Sequence, residues 1–153
     1  MDMIVSIGGC KQTFRALYDS GNTLRDPVGG RPVLVLQQKS LKELLPTTIW
    51  EIISSSQQPE EKMAQLHRLE SGYRFTLLPF CSVGVASGLL LAVWSDYIEV
   101  EGRRYEKILI ALSPGSISDG GGYQALWGAE ERRTRHEAVA NTENLVQQTR
   151  QAG

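Results

Sequence analysis

Apolar positions in the first third of the chain come in short, dense runs broken by glycine and proline. Met3-Ile4-Val5-Ser6-Ile7 and Thr13-Phe14-Arg15-Ala16-Leu17-Tyr18 are rich in β-formers and are separated by Gly8-Gly9, which supplies the positive φ angles of a tight turn; this predicts a β-hairpin. Asp26-Pro27-Val28-Gly29-Gly30 is a second turn cluster. Arg31-Pro32-Val33-Leu34-Val35-Leu36 after it has the continuous apolar run of a strand covered on both faces.

The pattern then changes period. Ser40-Leu41-Lys42-Glu43 and Thr48-Ile49-Trp50-Glu51 both fit S/T-x-x-E capping boxes, so two short helices are expected on either side of Pro46. Pro59-Glu60-Glu61 suits a further helix start, with proline in the first turn and acids favoured by the macrodipole. Residues 55–72 are expected to be a variable insertion. Strands return at Tyr73 to Phe80, Leu89 to Trp94, Tyr97 to Val100 and Tyr105 to Leu112, with Glu101-Gly102 turning the last pair. Ser113 to Gly122 reads as a loop, and Tyr123 to Trp127 as a last apolar turn against the core. After Ala129 no aromatic residue remains and large aliphatics are sparse, so residues 129–153 are expected to be a flexible or weakly helical tail behind a domain of residues 1–128. No internal repeat is visible.

Composition narrows the function classes. A length of 153 residues suits one self-supporting core, and a net charge of −1 argues against a phosphate-backbone binder, so nucleic acid is not an expected partner. Cys10 and Cys81 lack the spacing of a thiolate metal site, and His67 and His136 have no His or Cys partner at ligating distance in sequence; no metal or cofactor is expected. Cys81 with His67, or Ser82 with His67 and Asp96, makes a nucleophilic dyad or triad on paper, but no nucleophile-elbow motif accompanies them. Gly120-Gly121-Gly122 lacks the Lys-Ser/Thr of a phosphate loop, and Arg132, Arg133 and Arg135 are offset by Glu130, Glu131 and Glu137. The longest apolar run, Val83 to Trp94, is interrupted by Gly84, Ser87 and Gly88 and is too short to cross a bilayer. A strand following directly on Met1-Asp2 suggests a domain cut from a longer chain.

The candidate chemistry sits at Asp19-Ser20-Gly21-Asn22, where an acid, a hydroxyl and a glycine follow the hairpin. Alone, these residues are an ordinary turn. Placed opposite a second copy, they divide the labour of peptide hydrolysis: Asp19 as proton carrier, Ser20 as hydrogen-bonding support, Gly21 as the small residue admitting close backbone approach. Two adjacent carboxylates share one proton, so one activates water while the other polarises the scissile carbonyl.

The stretch "ALYDSGN" resembles the active-site strand of retropepsin-like aspartic proteases. The longer "LYDSGNTLRDPVGGRPVLVL", with "RFTLLPFCSVG", "SGLLLAVWSDYIEV" and "ILIALSP…GGGYQALW" in that order, resembles the protease domain of the sporulation sigma-E factor processing peptidases over residues 3–127. The resemblance implies a mainly-β retropepsin-like barrel with a few short helices, and Asp19 as catalytic acid with Ser20 and Gly21 as support. It further implies a membrane-anchored enzyme of the mother cell at the sporulation septum, its anchor in a segment absent from this chain. The substrate would be the pro-form of the sigma-E factor, and a forespore-derived signalling protein the activator. With one D-S-G and no internal duplication, the second carboxylate must come from another chain, which predicts a twofold homodimer with Asp19 of each subunit at the axis. Ser82 to Gly88 is a candidate flap. The chain departs from the family pattern at Asn22, expected to shape the loop without entering the chemistry. "ILIALSP" stands where retropepsins carry an apolar-apolar-Gly element beneath the active-site loop, without its glycine. The rival reading is a retropepsin-fold domain that dimerises or binds peptide without cleaving it.

Overall fold

A computed structural model describes residues 1–128 apart from Ser20, Thr23, Val83, Gly84 and Asp119, with the backbone alone for Cys81, Ser82 and 85–87. The expected tail, residues 129–153, lies outside the described residues, as does the tip of the candidate flap. The opening hairpin is β1 (Asp2–Ile7) and β2 (Cys10–Tyr18), paired from Ile7↔Cys10 to Asp2↔Arg15. Its two-residue turn needs positive φ at both positions, and Gly8 (59°) and Gly9 (87°) provide it. Met3, Val5 and Ile7 alternate inward on β1 and Phe14 and Ala16 on β2, so a one-residue slip would expose the whole inner set.

The remaining strands are β3 (Leu34–Gln37), β4 (Phe75–Ser82), β5 (Val85–Trp94), β6 (Tyr97–Val100), β7 (Arg103–Glu106), β8 (Leu109–Ser113) and β9 (Ala125–Trp127). They form one sheet in the order β4-β5-β8-β3-β9-β2-β1-β6-β7, curled into a half-barrel; the fold is mainly β and retropepsin-like. The buried face holds Met3, Leu34, Leu36, Ile98, Ile110 and Trp127, with Tyr105 packed edge-on against the Trp127 indole. Helices α1 (Thr47–Ile53) and α2 (Pro59–Leu69) cover part of this face through Ile49, Ile53 and Leu66. The expected strand at 31–36 is β3, hydrogen-bonded between β8 and β9, with Leu34 and Leu36 in the main core and Val33 in a second apolar cluster, while Val35 is half-buried.

Three local expectations are corrected. Neither expected capping box forms. Ser40 lies inside a 3₁₀ turn, Gln38–Leu41, and α1 starts at Thr47 directly behind Pro46, so Thr48 is already helical and caps nothing. The capping box that does form belongs to α2: Gln58 accepts from the Glu61 N–H, and Glu61 Oε1 accepts from the Gln58 N–H at 3.2 Å. An amide oxygen serves there as well as a hydroxyl. Next, the run Tyr105 to Leu112 is two strands. Lys107 takes a left-handed φ of 51°, its N–H donating to the Asp96 carbonyl at 2.9 Å, which turns the chain from β7 into β8. Finally, Ala125-Leu126-Trp127 is a strand, not an apolar turn: β9 runs parallel to β2 and antiparallel to β3, filling the gap between them.

Candidate functional site

Asp19 follows the last residue of β2, and β9 holds it there. Its N–H donates to the Trp127 carbonyl at 2.9 Å, continuing the β2–β9 ladder one residue into the turn. The Asp19 carbonyl accepts the Asn22 N–H at 3.2 Å, closing a tight turn. The side chain is fixed from within, because Oδ1 accepts the Gly21 N–H at 3.0 Å. A Cβ at Gly21 would come within 3.3 Å of that oxygen, so glycine is the residue that permits the approach. The carboxylate is half-buried, while Leu17 and Tyr18 just before it are exposed apolar side chains at 43% and 38%.

Asn22 ties the far side of the turn to the strand beyond it. Its Nδ2 donates to the Val33 carbonyl at 2.9 Å and its Oδ1 accepts the Leu24 N–H at 3.1 Å. With each end of its amide bonded to backbone, Asn22 shapes the loop. The next turn is built the same way. Buried Asp26 accepts the N–H groups of Val28 (2.9 Å), Gly29 (2.5 Å) and Arg31 (3.3 Å), a carboxylate standing in for missing backbone partners.

The stretch "ILIALSP", expected beneath the active-site loop, does not lie beneath the Asp19 turn. Strand β8 is separated from the Asp19 turn by β3 and β9. Leu126-Trp127-Gly128 lies directly beneath that turn, and a Cβ at Gly128 would stand 2.9 Å from the Asp19 carbonyl oxygen and 3.8 Å from Asn22. The signal was present as an apolar triplet ending in glycine. In sequence, so short an apolar run before a glycine has the pattern of a turn as much as of a strand.

The other candidates do not converge on this turn. His67 is exposed on α2, beside a cavity of about 250 Å³ lined by Leu66, Tyr73 and Arg74. The Asp96 Oδ2 accepts Ser6 Oγ at 3.0 Å and the Gly9 N–H at 2.9 Å, so Asp96 braces the opening hairpin. Cys10 is an exposed free thiol. Ser20, the side chains of Cys81 and Ser82, and His136 lie outside the described residues. Among the described residues no three metal-ligating side chains gather, and no helix is long and apolar enough to cross a membrane.

Comparison with known proteins follows the same stretch of chain. Residues 1–130 match the peptidase family model described as Sporulation factor SpoIIGA. A protein of Bacillus thuringiensis subsp. kurstaki, whose name marks it as a candidate sporulation sigma factor-processing peptidase, is 35% identical over 116 residues, covering 72% of this chain and 70% of that protein. The sporulation sigma-E factor-processing peptidases of Priestia megaterium and Bacillus subtilis are 32% and 28% identical, over 69% and 73% of this chain. The chain spans only 35% and 38% of those two longer proteins. No solved structure matches. A family match over residues 1–130, a span that takes in the Asp19 turn, β3, the β4–β5 hairpin and β9, assigns this chain to the SpoIIGA family of sporulation peptidases.

Proposed function

We propose that this chain is the protease domain of an aspartic endopeptidase that activates a sporulation sigma factor by removing the N-terminal pro-segment of its precursor. Asp19 is the catalytic acid, Gly21 fixes its carboxylate, and Ser20 supplies hydrogen-bonding support. The observation that carries the reading is the double anchorage of the Asp19 turn, to Trp127 on β9 and through Asn22 to Val33, which presents one half-buried carboxylate at a fixed place.

One carboxylate cannot accept a proton from water and donate one to the scissile carbonyl at the same time. Two copies of Asp19 meeting at a twofold axis share a proton: the ionised member takes a proton from water, whose oxygen attacks the carbonyl carbon, and the protonated member donates to the developing oxyanion. Collapse of the tetrahedral intermediate then breaks the C–N bond as a proton passes to the leaving amine. The exposed Leu17 and Tyr18 beside Asp19 suit burial against the partner copy. A segment outside this chain holds the domain at the mother-cell membrane by the septum, where a forespore-derived signalling protein acts on it.

The experiment mixes wild-type and Asp19→Asn chains under conditions of subunit exchange and follows fragments of the precursor by mass spectrometry. Asp19→Asn alone should lower cleavage by at least about a hundredfold. An equimolar mixture should retain about a quarter of the activity, since only wild-type pairs carry both acids. A linear fall refutes the shared pair, and binding of precursor without cleavage by the wild type favours the non-catalytic reading.

A further inference from the structure

At the far end of β2 from Asp19, the first hairpin turn, the start of β4 and the β5–β6 and β7–β8 corners enclose a cavity of about 440 Å³. Tyr73 and Trp94 form apolar walls, and Asp96, Arg74 and Lys107 supply the charged groups. Arg74, Trp94 and Lys107 also line a neighbouring cavity of about 200 Å³ that reaches the Asp26 turn and Arg31, so the two make one cleft. The larger cavity lies at the turn that opens β2, and Asp19 follows the other end of that strand.

Donors and acceptors in the cleft are unequally spent. The Asp96 Oδ2 is taken by Ser6 Oγ and the Gly9 N–H, and both Asp26 oxygens are taken by backbone N–H groups of their own turn. Arg31 donates to the Glu106 carbonyl at 2.7 Å. Among the described residues, neither Arg74 nor Lys107 enters any hydrogen bond or ion pair through its side chain. What the cleft presents to solvent without a protein partner is the exposed side chains of Arg74 and Lys107 beside the aromatic walls, with Asp96 Oδ1 also open; Arg31 adds a third cation at the far end.

The platform beneath them is rigid. Buried Ser95 donates to the Ile108 carbonyl at 2.8 Å and accepts the Ile108 N–H at 3.1 Å, clamping the chain on either side of the corner. The Lys107 N–H is held by the Asp96 carbonyl, and the Arg74 carbonyl accepts the Trp94 N–H at 2.9 Å. Lys107 keeps a left-handed φ of 51°, a region that side-chain-bearing residues seldom adopt, and this conformation sets its side chain at the cleft. Gly8 is needed for the same wall: a Cβ there would stand 2.6 Å from the Tyr73 ring.

We propose that the Arg74–Lys107 cleft is a docking site for an acidic peptide segment of a partner protein, with carboxylates on the two cations and aliphatic stems against Trp94 and Tyr73. Shape and chemistry favour a peptide: an elongated cleft with aromatic walls suits side chains that carry both carbon and charge, and Arg74 provides the planar donor fork that pairs with a carboxylate. The site acts in binding alone and does not depend on the peptidase reading.

The test is fluorescence anisotropy of the whole 153-residue chain with a fluorescein-labelled glutamate-rich peptide and its glutamine counterpart. The glutamate peptide should bind and weaken with added salt, and the glutamine peptide should not bind. Arg74→Gln and Lys107→Gln should each weaken binding about tenfold, the loss expected for a charged hydrogen-bond partner, while Lys42→Gln outside the cleft leaves it unchanged. Equal weakening by all three variants overturns the proposal, as does displacement of the peptide by equimolar inorganic phosphate, which would make the cleft a phosphate site. Thermal melts confirm that the variants fold. On the wild-type chain, the Trp94 indole resonance should shift on titration with the glutamate peptide, and a stationary resonance overturns the proposal independently of any variant.

Discussion

Replacing Gly128 by alanine tests whether the strand beneath the Asp19 turn sets the position of the acid. The added Cβ would lie 2.9 Å from the Asp19 carbonyl oxygen, a backbone atom that no rotamer change can move aside. Ordinary contact begins near 3.4 Å, so the turn must lift by about half an ångström. Overpacking of this kind costs about 1–3 kcal/mol. Since that carbonyl also accepts the Asn22 N–H, the displacement is passed into the whole turn. Misplacing a reacting group by about 1 Å costs on the order of a hundredfold in rate, so half that distance predicts about a tenfold loss of precursor cleavage. Urea unfolding measures the first quantity and single-turnover cleavage the second. Gly115→Ala is the control, because a Cβ there meets nothing within 4 Å and its φ is not left-handed; it should be neutral or stabilising by up to about 1 kcal/mol. A Gly128→Ala chain with the stability and turnover of the wild type would refute the argument that β9 positions Asp19.

Other perturbations read other parts of the structure. Asn22→Ala leaves the Val33 carbonyl and the Leu24 N–H without their side-chain partner and should destabilise by about 2 kcal/mol in urea titration. Gln58→Ala removes one half of the α2 capping box and should cost about 1 kcal/mol, with faster hydrogen exchange in the first turn of that helix. Lys62 is buried with Nζ donating to the Ile53 carbonyl at 2.6 Å, and desolvation pushes its pKa below the ordinary 10.5. The unfolded chain then binds that proton more readily, so the Lys62 penalty is full below the depressed folded value and is relieved as pH climbs from it towards 10.5. The unfolding free energy of the wild type, compared with Lys62→Met across that alkaline window, should rise with pH; equal slopes would contradict the assignment.

Much of the fold was legible because the strands are written in period two and the turns in glycine. The opening hairpin, the apolar strand β3 and the proline-led start of α2 could all be read from residue order alone. The misreadings arose where tertiary contacts outweighed local pattern. Ser40 and Thr48 carry capping signatures, but Ser40 is drawn into a 3₁₀ turn and Pro46 fixes where α1 starts, so Thr48 lies inside the helix, past the position from which a side chain caps it. Lys107 interrupts an apolar run because Asp96, eleven residues earlier in sequence, supplies the carbonyl that holds its turn. No local signal marks a partner at that distance.

The same limit explains why the Asp19 turn is legible in the sequence and its support is not. An Asp-Ser-Gly turn is a local feature, visible in consecutive residues. What gives the acid a fixed place is strand β9, more than a hundred residues away in sequence, which enters the sheet parallel to β2 and antiparallel to β3. A three-residue strand with no partner of its own in sequence has little intrinsic preference to form, so it reads as loop until the gap it fills is known. Once β9 is in place, the glycine after it becomes intelligible, because it marks where two backbones approach too closely for any side chain. That geometry carries one acid per chain at a turn braced on both flanks, and the mixing of wild-type with Asp19→Asn subunits asks whether a second chain completes it.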